Sequence, residues 1–177
     1  EASRNQFQSD AYFESYLEAI NSIGRINSAH DLSNGISIKL SALYSKYDAL
    51  HEREVKGFLL PRLRDLVVEA SLQNVSVTID AEEQDRLSLS LSIIAELALD
   101  PLIKGWPKLG LAVQAYGKRS PQVIDHLAQL VQQRETMHVR LVKGAYWDHE
   151  IKNAQVKGLN GYPVFTNKKL TDINYLV

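Results

Sequence analysis

The feature that most constrains the fold is a repeating order: a short apolar alternation, a polar loop, then a stretch of helical periodicity. Ile36, Ile38 and Leu40 alternate within residues 35–40, and similar short strand signals return at residues 75–80, 109–114 and 138–143. Helical patterns fill the intervals, at about residues 51–73 and 84–99 and in a segment opened by Ser120-Pro121. Two more follow, from Trp147 to Val156 and from Lys168 to Val177. Strands separated by helices are joined by crossovers, so the sheet they form is parallel. Before the first strand, Ser9 or Asp10 can cap a helix over about residues 10–26. Tyr12, Phe13, Tyr16, Leu17, Ile20 and Ile23 follow at helical spacing, and Gly24 with the polar stretch 27–34 predicts its end. Pro61 predicts a kink or a restart in the second helix.

Two α/β architectures have this order: an open doubly wound sheet and a (βα)8 barrel. A nucleotide-binding open sheet usually carries a glycine-rich turn after its first strand, where this chain has Ser41-Ala42-Leu43. That favours the barrel. A complete barrel takes about 250 residues, so 177 residues with strand signals for half of one predict a partial barrel. The start at Glu1, without an initiating Met, and the uncapped helical pattern at Val177 agree with that expectation.

A net charge of -1 provides no basic field to gather nucleic acid. Absence of cysteine removes disulfides, thiolate metal sites and thiol nucleophiles. No apolar run approaches the roughly 20 residues needed to span a bilayer.

Each strand ends, or nearly ends, in a polar residue capable of chemistry: Lys39, Asp80, Gln114, then Arg140 and Lys143. In parallel α/β folds the carboxyl ends of strands face one rim, where sites are built. Strands also end in polar residues merely because they leave the core. Lys39 and Arg140, however, have apolar neighbours on both sides, and charge held partly out of water has to be paired or used. Asp80, Glu82 and Glu83 could be read as a divalent-metal cluster. The two glutamates serve equally as acids at a helix start, no histidine lies close in sequence, and no metal is expected. The run from Arg140 to Trp147 joins two cations, two small residues and two aromatics. Small residues admit a flat ligand to the backbone, and cations bond electronegative ring atoms or phosphates. An anionic or flavin-like cofactor suits this run; packing of Tyr146 and Trp147 at a helix start accounts for the aromatics without one.

Four motifs occur in order: GISIKLSAL at 35–43, IDAEEQDRL at 79–87, VQAYGKR at 113–119 and RLVKGAYWD at 140–148, followed by YPVFTNK at 162–168. From about Asp10 onward the chain resembles the proline dehydrogenase domain of the bifunctional bacterial proline utilization A flavoenzymes. The resemblance implies a distorted (βα)8 barrel holding FAD, which oxidises L-proline to Δ1-pyrroline-5-carboxylate, the first step of proline catabolism to glutamate, with hydride transfer to flavin N5. It implies a quinone as electron acceptor, an aldehyde dehydrogenase domain in the parent chain, and a cytoplasmic protein with peripheral membrane association. By the same resemblance Lys39 would pair with the substrate carboxylate, and Asp80 and Arg140 would act beside flavin and substrate. Ala145 and Tyr146 would touch substrate. Asp80, Ala81, Val113, Gln114, Arg140, Val142, Lys143, Gly144, Ala145, Tyr146 and Trp147 would contact the cofactor, with Thr166 and Lys168 at its adenosine-phosphate part.

The resemblance makes residues 1–177 an incomplete barrel domain: a helix at about 10–26, then a barrel segment at about 35–177 carrying strands two to five. The remaining strands, and the helix with paired arginines for the substrate carboxylate, lie outside, so the segment is expected to be inactive alone. Two other readings fit the residues: a non-catalytic α/β binding or assembly module, and a different barrel enzyme acting on an anionic substrate. Scattering of Lys39, Asp80, Gln114 and Arg140 over separate faces would favour the module.

Overall fold

A computed structural model describes residues 2–134 and 136–176. Among them, strands β1 (Gly35–Ile38), β2 (Ser76–Ile79), β3 (Leu109–Gln114) and β4 (His138–Val142) form one parallel sheet in the order β1-β2-β3-β4. Helices α1 (Gln6–His30), α2 (Leu40–Leu43), α3 (Glu52–Leu72), α4 (Leu87–Ala98), α5 (Ser120–Arg134), α6 (Trp147–Val156) and α7 (Lys168–Leu176) flank and connect them. Strands laid down in sequence order and joined by helical crossovers are what a barrel segment requires, as the strand signals predict. The expected end of the last helix, Val177, and the start of the chain, Glu1, lie outside the described residues.

The two faces of the sheet differ in chemistry. Ile38, Val77, Ile79, Leu109, Leu111 and Val113 are buried in the core, against α3 residues such as Leu59, Leu63, Leu66 and Val67 and α4 residues such as Ile93 and Leu97. By strand alternation, the other face carries Ser37, Thr78, Ala112 and Arg140, small or polar residues matched across the register Ser37↔Thr78, Thr78↔Gly110, Ala112↔Arg140. A face so poor in apolar bulk has nothing to pack tightly against and leaves room above the sheet. The opposite, amino-terminal end is closed by Arg134, 1% exposed, which donates to Thr136 O (2.8 Å), Ala98 O (3.0 Å) and Trp106 O (2.7 Å). One buried guanidinium thereby satisfies three carbonyls, at the end of α4, in the α4–β3 connection and in the α5–β4 connection.

Two helix expectations need correction. The first helix runs from Gln6 to His30 and is capped by Asn5, whose side chain accepts from Gln8 N at 2.9 Å. Gly24 does not end it: a Cβ there would lie 2.8 Å from Cβ of Gln73, so this glycine admits α1 beside the end of α3. Nor does Asn27: it is buried, and its amide bridges both backbone groups of Asn34 at 3.0 Å. The helix stops at Asp31, in the left-handed region at φ 53°. Likewise α4 begins at Leu87, not Gln84, because residues 80–86 are held as a loop over the sheet. Pro61 lies exposed inside an unbroken α3.

Candidate active site

The carboxyl ends of the strands meet at an open cleft of about 780 Å³, lined by Lys39, Asp80, Gln114, Arg140, Lys143 and Tyr146 among others. The sequence expectation of one shared rim holds geometrically: four strands deliver these side chains to one place. Ala81, Val142, Gly144 and Ala145 also line it. The scattering that would favour a non-catalytic module is not found.

Arg140 sits two residues before the end of β4 and reaches back across the sheet. It pairs with Asp80 beyond β2 and donates to Ser37 Oγ on β1 at 2.8 Å. Its side chain remains 47% exposed and that of Asp80 20%, so the pair stands at the cleft wall with donors to spare. Gln114 is buried; its Nε2 donates to Glu82 O at 2.7 Å and its Oε1 accepts from Ala145 N at 3.4 Å. It thus ties the β2 loop to the glycine-containing turn after β4. The Glu82 carboxylate accepts from Ser41 N at 3.0 Å, which fastens α2, just beyond β1, to the same loop.

Lys39 follows β1, and its backbone N–H donates to the Tyr16 hydroxyl of α1 at 3.1 Å. Partial burial pulls its pKa down, but the Tyr146 phenol beside it and the Asp80 and Glu82 carboxylates more than offset this, leaving it above the ordinary lysine value. The site therefore holds a persistent ammonium.

A second cleft, about 790 Å³, adjoins the first through Lys143 and Gly144 and contains Tyr116, Trp147, Phe165, Thr166 and Lys168. Its floor is built by pairing between residues 116–118 and 163–165: Phe165 N donates to Tyr116 O at 2.8 Å and Lys118 N to Pro163 O at 3.0 Å. Trp147 Nε1 donates to Phe165 O at 2.9 Å. Gly144 has φ 124°, and a Cβ there would lie 2.6 Å from the Tyr116 ring, so only glycine lets this backbone turn over the aromatic. Lys143 pairs with Asp172 at 2.5 Å and lies over the Tyr175 ring.

Val113 stands apart from the other candidate residues. Its side chain is in the core on the helix side of β3, so only its backbone can face a ligand. Sequence reasoning passed over Ser37, Tyr16, Tyr116 and Phe165. Ser37 is legible as the alternation partner of Lys39; Tyr16 fits the helical spacing of α1 and Tyr116 falls within a motif, and only tertiary structure brings the Tyr16 hydroxyl to the Lys39 N–H and the Tyr116 ring under Gly144.

The chain matches the family model described as proline dehydrogenase over residues 1–177. It is 45% identical over 179 residues to the bifunctional protein PutA of Escherichia coli (strain K12), and 44% identical over 169 residues to that of Rhizobium meliloti. These alignments cover 99% and 94% of this chain, which spans only 14% of the length of either relative. Among solved structures, a Bradyrhizobium japonicum proline utilization A mutant superposes with a TM-score of 0.95 at 46% identity, over 99% of this chain and 18% of that one. The Bdellovibrio bacteriovorus protein inactivated by N-propargylglycine gives 0.92 at 31% identity, over 99% and 20%.

Proposed function

The chain belongs to the proline dehydrogenase family, and from that premise we propose that it forms part of a site that oxidises L-proline to Δ1-pyrroline-5-carboxylate with FAD. The observation that carries this reading is the convergence of Lys39, Asp80, Gln114 and Arg140 on one open cleft that adjoins a second through Lys143 and Gly144. The donor set fits a flavin. A long ligand with a flat polar ring and a phosphorylated tail needs two joined clefts, cations in both, and backbone exposed without side-chain bulk. Arg140, Lys143 and Lys168 provide the cations, and Gly144 with Ala145 the bare backbone.

Bound there, the flavin supplies the acceptor for the hydride that leaves the substrate carbon next to nitrogen. The protein binds and orients. Lys39 holds the proline carboxylate by a charge-assisted bond, and Ala145 and Tyr146 wall the substrate ring. Arg140 would offer its guanidinium to a bound flavin ring, and Asp80 would balance the local positive charge. Gln114, Ala81, Val142, Lys143, Gly144 and Trp147 line the cofactor, with Val113 contributing backbone. Thr166 and Lys168, in the second cleft, would hold the adenosine-phosphate part. In the longer protein a quinone would be the electron acceptor and an aldehyde dehydrogenase domain would take the product, in a cytoplasmic protein with peripheral membrane association.

The test is made on the full-length protein. It should purify with the visible absorbance of bound flavin and reduce a dye when given L-proline. A colourless preparation that stays inactive after FAD is added would defeat the reading.

A further inference from the structure

We infer that Glu150 is a positioning residue of this site: it fixes the loop that carries Asp80 to the helix that carries Tyr146. The inference rests on the proline-oxidising reading above for its functional consequence, though not for its geometry.

Glu150 lies on α6, one turn after Tyr146, and is 2% exposed. Among the described residues no basic side chain bonds its carboxylate; Oε1 accepts from the backbone N–H of Gln84 at 2.7 Å. Gln84 is itself 4% exposed and belongs to the loop of residues 80–86. The carbonyl of Gln84 accepts from the Arg119 guanidinium, so this residue is bracketed through both its backbone polar groups. The neighbouring Asp85 is gripped by the same helix and the residue that caps its end, from Asn153 at 3.4 Å and Lys157 at 3.0 Å. With Gln114 on Glu82 O and Ser41 N on the Glu82 carboxylate, the loop is tied to four separate parts of the rim.

A buried carboxylate is an expensive way to fill space. Burial raises its pKa, the Gln84 N–H partly offsets this, and Asp85 and Glu83 raise it further. A packing residue at this position would be apolar. A carboxylate is warranted where a buried N–H needs an acceptor of fixed direction, and here that N–H sits four residues from Asp80, the partner of Arg140. The helix contributes twice: its first turn stabilises the acid through its dipole and its start sets Tyr146 against Lys39. Glu150 therefore couples the spacing between the two walls of the cleft.

The experiment compares full-length wild type with Glu150→Met, which keeps volume and removes the acceptor, and Glu150→Gln, which keeps an amide oxygen for the Gln84 N–H. Hydrogen exchange of the peptide spanning residues 80–87 should quicken about tenfold in the Met variant and stay at the wild-type rate in the Gln variant. The kcat for proline should fall about tenfold in the Met variant, with flavin content unchanged, and recover in the Gln variant. Unchanged exchange in the Met variant overturns the inference. So does quickened exchange with normal kcat, or a Gln variant as impaired as the Met one. If the Met variant fails to fold, Glu150→Asp, one methylene short of the Gln84 N–H, makes the same comparison. A wild type that does not oxidise proline would sink the proposed function, while exchange would still decide whether the clamp exists.

Discussion

At the residue scale, the cleft is organised by charge that is held but not saturated. Arg140 uses part of its fork on Asp80 and Ser37 and keeps free donors at the wall. Replacing Asp80 by Ala should release that guanidinium and lower kcat/KM for proline by about 100-fold, a loss typical of a misdirected electrostatic group; steady-state dye reduction measures it. Lys39 makes a different prediction, about pH. A lysine whose folded pKa is raised contributes stability that is fully present below its unfolded value of 10.5 and is lost only as pH rises through the folded value. Lys39 therefore stays charged below 10.5, and the KM for proline should show no break attributable to it at neutral or mildly alkaline pH. The Lys39→Met variant should raise KM by about tenfold or more at every pH, the scale of a lost charge-assisted bond. A KM that climbs between pH 7 and 9 in wild type but not in that variant would contradict the assignment. Lys39 and Arg140 are legible because a charge flanked by apolar residues near a strand end has few uses, and Asp80 because it ends a strand at the same rim. Tyr16 is not, because its hydroxyl matters only through a contact with a backbone N–H 23 positions away.

At the element scale, strands were read more accurately than helix ends. Strand positions follow from alternation, which Val77, Ile79, Leu109 and Leu111 carry plainly. Helix ends depend on punctuation, and punctuation is ambiguous: Gly24 can stop a helix or let another approach it. Here it does the second, and the test is Gly24→Val. A side chain at that site meets Gln73 at 2.8 Å, so the variant of the full-length protein should lose about 1–3 kcal/mol of stability, read from its thermal unfolding. An unchanged midpoint would mean that α1 and α3 separate without cost. Pro61 makes the opposite case. It lies on the exposed side of a continuous helix and removes one intrahelical hydrogen bond, so Pro61→Ala should stabilise the protein, by up to about 3 kcal/mol. The four-residue α2 went unread because Leu40–Leu43 is too short to show a period; tertiary burial of all four residues creates it.

At the scale of the whole molecule, stability and site geometry pull on the same sheet. A continuous core closes its helix side over β1, β2 and β3 but takes in no residue of β4, and β1 and β4 each pair with one strand among the described residues. Val139 is 43% exposed and Leu141 36%, on a strand whose outer backbone groups are free to pair with another chain. Open edges bearing apolar side chains are association sites. Residues 1–177 expressed alone should therefore be self-associating and inactive toward proline, since β4, which carries Arg140, is the edge that would be captured. Light scattering after size-exclusion chromatography reads the first property, and proline-dependent dye reduction the second. Val139→Lys with Leu141→Lys should move the population toward monomer, because two charges on an exposed strand oppose edge-to-edge pairing. Activity should not return with it, because dispersal leaves the cleft as open to water as before. A monomeric, cooperatively unfolding wild-type segment would show that the helix-side core suffices by itself. In that event the exposed β4 face would be a tolerated surface, and Arg140 would owe its orientation to Asp80 and Ser37 alone.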